Sequence, residues 1–277
     1  MGPLARAALP VAPPALVLAA LALLAAAAPA AAIVPVALGP TAALPEGLSG
    51  ETLWSLAGRQ GNSRTLSAGL DLALRHRGPA AAHLLLAGYD YGRSLGRRNA
   101  DRAFLHLRRI RPLSPPKPSP PDPSWRPAWE LLLQGRRDAF QRLRLRLLAG
   151  GGLRLERLAP GRLQAVAGLG LLRVLEDYRA GDGEAAAREL AWRLNLYAGL
   201  RRPAGAASGA NLEALLYWQP LVRAPADFRA LGQLRLLAPL GPRLAITLSL
   251  EAGHDSRPRT GVLRTDLRYR SGLRLRF

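Results

Sequence analysis

The chain has 277 residues, with 39 lysines and arginines against 19 aspartates and glutamates, a formal charge of +20 and no cysteine. That length suits one large all-β domain or two small ones. The missing cysteine excludes disulfides and thiolate metal sites, and so large a cationic excess points to nucleic acid, an anionic membrane face or acidic ligands as partners.

The chain opens with Arg6, an apolar run from Ala15 to Ala28, Pro29 and three alanines at 30–32. This is the layout of a signal peptide, cleaved near Ala32. The other reading is an uncleaved anchor. The run is shorter than the ~20 residues that span a bilayer, and Pro29 interrupts it. The expected organisation is therefore a signal peptide at 1–32, a short periplasmic segment at 33–50 and one β-domain from 51 to 277. Export takes cytoplasmic nucleic acid out of consideration as a partner.

Beyond the leader the chain breaks into runs with a period of two. Leu66, Ala68, Leu70, Leu72 and Leu74 alternate with Ser67, Gly69, Asp71 and Ala73. Between 143 and 155 the odd positions are Leu, Ala or Gly, and Arg142, Arg144, Arg146 and Arg154 lie on the even face. The pattern recurs at 163–171, 192–200, 228–238 and 244–252, with turn signals between the runs. The last run is the cleanest. Leu263, Thr265, Leu267, Tyr269, Leu273, Leu275 and Phe277 face one way, and Arg264, Asp266, Arg268, Arg270, Arg274 and Arg276 the other.

About twelve strands are expected: near 52–61, 64–76, 81–91, 102–110, 127–137, 140–157, 162–177, 188–200, 209–219, 226–238, 242–254 and 262–277. The third is apolar on both faces, so its register cannot be read. The proline-rich stretch 111–127 is a stiff extended connection. Good helix formers at 128–150 and 183–200 offer a competing reading, and a short helix around 184–190 stays open. Alternation over about 15 residues exceeds the ordinary strand of about 5–6. It matches a tilted strand that crosses a bilayer and projects beyond it. The fold class is thus an antiparallel transmembrane β-barrel of the outer membrane.

Four blocks carry a family likeness: 61–75, 88–94, 134–155 and, most specifically, 254–277. In the last, Asp255, Ser256, Arg257, Pro258, Gly261, Val262, Thr265, Asp266, Ser271, Gly272 and Phe277 stand at the positions that matter. From Glu51 onward the chain resembles the domain-of-unknown-function 481 family of Gram-negative outer-membrane proteins. The resemblance implies an outer-membrane barrel whose final phenylalanine is read by the barrel-assembly machinery. It carries no catalytic or ligand-binding residues. Independently, a terminal aromatic suits the girdle at a bilayer edge.

An arginine facing lipid at mid-bilayer costs about 2–4 kcal/mol, so parity sends the basic face inward. The expected lumen-facing set is Arg142, Arg144, Arg146, Arg154, Arg264, Arg268, Arg270, Arg274 and Arg276. Three uses of the charge remain open. One is a water-filled channel favouring small anions. Another is an interior filled by ion pairs, with Asp71, Glu213, Asp227, Glu251 and Asp266 as partners. The third is loops that meet lipopolysaccharide phosphates.

Chemistry finds little support. The histidines are His76, His83, His106 and His254. His254-Asp255-Ser256 contains the residue types of a triad, but neighbours on a strand face opposite ways and cannot converge. Ser208 and Ser249 have no identifiable base. No catalytic residue, metal or cofactor is expected. The remaining alternatives are a soluble basic periplasmic binding protein and an outer-membrane lipid-modifying enzyme.

Overall fold

The computed structural model describes residues 40–59, 65–95, 97–113, 125–158, 163–181, 183–203 and 209–277. The expected signal peptide and its cleavage point lie outside these residues. The strands are β1 Gly47–Arg59, β2 Thr65–Arg77, β3 Ala82–Ser94, β4 Arg97–Pro112, β5 Arg126–Asp138, β6 Leu143–Arg157, β7 Gln164–Tyr178, β8 Ala187–Pro203, β9 Asn211–Leu221, β10 Ala224–Pro239, β11 Leu244–Asp255 and β12 Thr265–Arg276. Each pairs antiparallel with its chain neighbours, and β12 returns to β1, closing a twelve-stranded barrel. Closure pairs every strand on both sides, although the β1–β12 seam is paired over only part of its length.

The strand expected from 52 begins at Gly47. No helix forms around 184–190: Gly181 and Glu184 make an isolated bridge, and β8 starts at Ala187. There Trp192 and Leu194 point out, while Arg193, Asn195 and Tyr197 are buried. A helix would have mixed these two sets on every face.

We call the barrel end that holds Gly47 and Arg276 the near end. The connection between β4 and β5, the longest in the barrel, leaves from there. The outer wall is a girdle of leucines, including Leu131, Leu133, Leu147, Leu153, Leu169 and Leu171, each more than a third exposed. The inner face is packed in two apolar groups. One joins Leu84, Ile110, Val166, Tyr197, Leu215, Tyr217 and Leu231, and the other Leu132, Leu148, Leu172 and Val174. Tyr197 lies over Gly168 and Phe104 over Gly88, where a Cβ would strike the ring. Glycine at these two places lets a large inward side chain lie flat against the wall.

The seam between β1 and β12 is the shortest ladder. Only Glu51–Trp54 and Leu273–Arg276 pair across it, extended by mutual backbone hydrogen bonds between Gly50 and Phe277 at 2.9 and 3.0 Å.

Candidate functional site

The interior carries a chain of buried ion pairs. Toward the near end, Arg108 meets Glu130 at 3.0 Å and Arg154 meets Glu156 at 2.6 Å, all four side chains at least nine-tenths buried. Tyr197 joins the pairs: its hydroxyl donates to Glu130 at 2.9 Å and accepts from Arg154 at 3.0 Å. Both guanidinium groups also lie over its ring. The near mouth is stoppered by the segment before β1. A single 3-10 turn, Thr41–Ala43, places Thr41 inside the barrel, where its amide and hydroxyl donate to Glu156 at 2.9 and 2.7 Å. Leu44 packs on the apolar group, and its carbonyl accepts from Arg77 at 2.8 Å.

Toward the far end the hub is Arg229. It donates to Glu176 through two nitrogens at 2.7 and 3.0 Å and to Asp255 at 2.8 Å. Arg146 meets the same glutamate at 3.1 Å. The bidentate fork is the geometry in which guanidinium and carboxylate best repay their desolvation.

The side of the barrel formed by β1–β4 and β10–β12 is less filled and holds a cavity of about 140 Å³. Seven arginines and four carboxylates line it. Glu51 takes Arg75 at 2.6 Å and Arg274 at 3.5 Å. Asp71 takes Arg270 at 2.7 Å, and Asp90 takes Arg270 and Arg102. Arg268 reaches Glu251 at 3.5 Å. The Nε of Arg235 and of Arg274 has no hydrogen-bond acceptor among the described residues.

The loop from Ser256 to Arg264 caps the far end. Asp255 accepts from the Arg257 amide at 3.0 Å, and the Ser256 hydroxyl accepts from the Phe228 amide at 2.8 Å. Farther along, Arg259 pairs with Glu184 and Glu189, and its guanidinium lies over Tyr178. Thr260 donates to Glu184 through its hydroxyl and, at 3.0 Å, through its amide. These two hydrogen bonds, the hydroxyl's first, hold the Glu184 carboxyl below its ordinary 4.5, aided by Arg142 and Arg259. A lowered carboxylate pKa adds stability that is complete above the unfolded value and lost as pH falls through the folded one. The cap should therefore hold at pH 5 and above and loosen in acid below 4.5. Protection of the Thr260 amide from hydrogen exchange is expected to drop between pH 5 and pH 3, and Glu184→Gln should flatten that dependence.

The structure divides the expected basic set. Arg146, Arg154 and Arg274 are buried and Arg268 and Arg270 half-buried, all at inward positions with carboxylate partners. Arg144 is a correction. A β-bulge between Leu143 and Leu145 inserts one residue opposite Asp177–Tyr178, which turns Leu143 inward and Arg144 outward, toward Asp177 at 3.7 Å. Arg142 is a second correction. It sits in the left-handed region, φ 54°, after the 3-10 turn Ala139–Gln141, and its side chain bridges the carbonyls of Gly181 and Thr260 at the far mouth. Arg264 lies exposed just before β12, and Arg276 is exposed at the near end.

All five carboxylates expected inside have arginine partners: Asp71, Glu213, Asp227, Glu251 and Asp266. The most deeply buried ones, Glu130, Asp138, Glu156 and Glu176, were not anticipated. Each shares the inward parity of its own strand, so the period of two was a sufficient signal.

The motif residues divide between loop and strand. Asp255 and Ser256 anchor the cap, Arg257, Pro258 and Gly261 lie within it, Thr265 bonds His254 at 2.8 Å, and Asp266 faces Arg102 and Arg268. Gly261 has φ +78°, a conformation that favours glycine. Phe277 packs on Gly50 at the seam.

His254, Asp255 and Ser256 diverge: the ring stacks on Phe228, the carboxylate turns in to Arg229, and the hydroxyl ties the turn. The chain carries a Gly-x-Ser-x-Gly string at 92–96. Ser94 ends β3 beside Arg97 of β4 in a strand-to-strand turn, whereas the nucleophile elbow needs a helix after the serine. No cluster of metal-ligating side chains forms among the described residues.

Among solved structures, the β-domain of the Bordetella autotransporter BrkA is similar over 83% of this chain and 98% of its own, with 16% identity and a TM-score of 0.39. The translocator domain of the autotransporter NalP from Neisseria meningitidis is similar over 85% and 90%, with 12% identity and a TM-score of 0.42. The NanC porin is similar over 82% and 98%, with 8% identity and a TM-score of 0.45. No curated protein matches the sequence. The family described as protein of unknown function, DUF481, matches residues 54–277, so this chain belongs to the DUF481 family.

Proposed function

We propose that the chain is a non-enzymatic structural barrel of the bacterial outer membrane, closed to bulk flow through its interior. The observation that carries the closure is Arg154, 0% exposed between Glu130, Glu156 and Tyr197, with Thr41 stoppering the mouth beneath it. A water-filled pore would leave such a group wet. The leucine girdle supports the membrane setting, since a soluble domain seldom exposes so large an apolar area. Membrane lipid and lipopolysaccharide are the proposed surroundings, and the assembly machinery the partner that inserts the barrel. Export through a signal peptide fits this placement.

In planar bilayers under a salt gradient, the full mature chain is expected to give no stable conductance. A chain lacking residues 33–44 is expected to give open steps. Stable channels from the full chain would overturn the closed interior. One observation favours a second reading, an anion-favouring conduit: the cavity carries seven arginines against four carboxylates. On that reading the full chain conducts with anion preference, and cation preference excludes it. Release from membranes by a salt wash, with no heat-modifiable gel mobility, would instead support a soluble periplasmic protein.

A further inference from the structure

Toward the near end the outer wall carries a polar row across three strands. His76 of β2, His83 of β3 and Arg109 of β4 share the outward parity of Leu74, Leu85 and Leu107, and all three are exposed. The ladders set them side by side, His76 opposite His83 and His83 opposite Arg109. Leu48 of β1 and Leu131 of β5 flank them. One outward step farther along the wall, the same register aligns Leu74, Leu85, Leu107 and Leu133. A groove of about 460 Å³ on the outer surface is lined by both rows.

No carboxylate answers the polar row. None of its three side chains forms an ion pair among the described residues, and the acids close by are engaged elsewhere. Glu46 meets Arg77, Glu51 meets Arg75 and Glu130 meets Arg108, the last two pairs inside the barrel. Whereas Arg268 and Arg270 are held by acids, Arg109 lies over the Trp129 ring, its guanidinium carbon 5.8 Å from the centroid. The His76 and His83 rings stand 6.2 Å apart. Donors on a lipid-facing wall need an oxygen acceptor, and the leucines beside them need hydrocarbon. One molecule supplies both: an acyl chain that carries an anionic phosphate. A second copy of the barrel in the same bilayer would instead bring the row against its own like charge.

We propose that this groove docks one anionic glycerophospholipid of the bilayer. Its phosphate oxygens accept from His76, His83 and Arg109, and its acyl chain lies along Leu74, Leu85 and Leu107. The inference rests on the bilayer setting proposed above.

Two single-tryptophan proteins test it, one keeping Trp129 beside Arg109 and one keeping Trp218 on the outer face of β9, with the other tryptophans replaced by phenylalanine. Each is reconstituted in zwitterionic vesicles doped with a brominated lipid, either phosphatidylglycerol or phosphatidylcholine. Trp129 is expected to report about fivefold local enrichment of the anionic quencher, the weight of one arginine beside an anionic lipid. Trp218 should report none. Arg109→Gln should remove the Trp129 preference, and Arg202→Gln, at an exposed arginine of the same end on β8, should leave it unchanged. Equal quenching of Trp129 by the two lipids, or the same preference at Trp218, overturns the site while leaving the membrane barrel intact. No quenching of either tryptophan by either lipid overturns the barrel's bilayer setting, and the site with it. Native mass spectrometry of the unsubstituted chain in detergent gives a readout that needs no variant. Retention of one phosphatidylglycerol per barrel where phosphatidylcholine is lost supports the site, and equal retention of the two overturns it.

Discussion

Replacing Arg229 with alanine is expected to lower the unfolding free energy by about 3–5 kcal/mol, the cost of stranding buried partners of a charge. Two carboxylates are left behind. Glu176 keeps only the shared contact with Arg146, and Asp255 loses its one charged partner among those described. Asp255 also anchors the far cap through the Arg257 amide, so the loss spreads to the loop. Urea unfolding in detergent micelles, followed by tryptophan fluorescence, measures the effect. Arg259→Ala is the control: its pairs are partly exposed, and exposed pairs contribute about 0–1 kcal/mol. Adding Glu176→Ala to Arg229→Ala should restore part of the loss, because coupled partners are not additive. A shift for Arg229→Ala no larger than the control's would show that the interior is hydrated.

Deleting Phe277 should give the second large effect, on folding yield. With so short a ladder between β1 and β12, the Gly50–Phe277 pair supplies two of the hydrogen bonds that close the ring. Backbone groups left unpaired next to hydrocarbon cost several kcal/mol each. The deletion is therefore expected to leave most of the protein without heat-modifiable mobility after refolding into vesicles. Phe277→Ala keeps the backbone bonds and loses only the ring packed on Gly50, so it should fold at an intermediate yield. If the deletion folded as well as the full chain, closure would not depend on this pair.

The wall of this barrel was readable because lipid and interior impose opposite demands on adjacent residues. Leu145, Leu147, Leu153 and Leu155 face out and Arg146, Arg154 and Glu156 face in, as a period of two requires. β3 was unreadable because Leu84 faces inward into the near-end apolar group, so both faces of the strand ask for leucine. Arg144 was misplaced by an inserted residue, which reverses parity locally and is visible only in the backbone pairing. The stopper had no local signal at all: Thr41 and Glu156 are 115 residues apart. The cap was half legible. Its residues stood out as a block, while the contact of Thr260 with Glu184 joins two loops that no periodicity links.

Two of the ion pairs inside this barrel join opposite ends of the chain. Arg270 and Asp71 are separated by 199 residues, and Arg274 and Glu51 by 223. Until the last strand is in place, Asp71 of β2 has no arginine partner and Glu51 of β1 has only Arg75. Insertion hairpin by hairpin would carry the unpaired Asp71 carboxylate into oil, so a concerted passage, with the ring sealed before it sinks, is the route with the lower barrier.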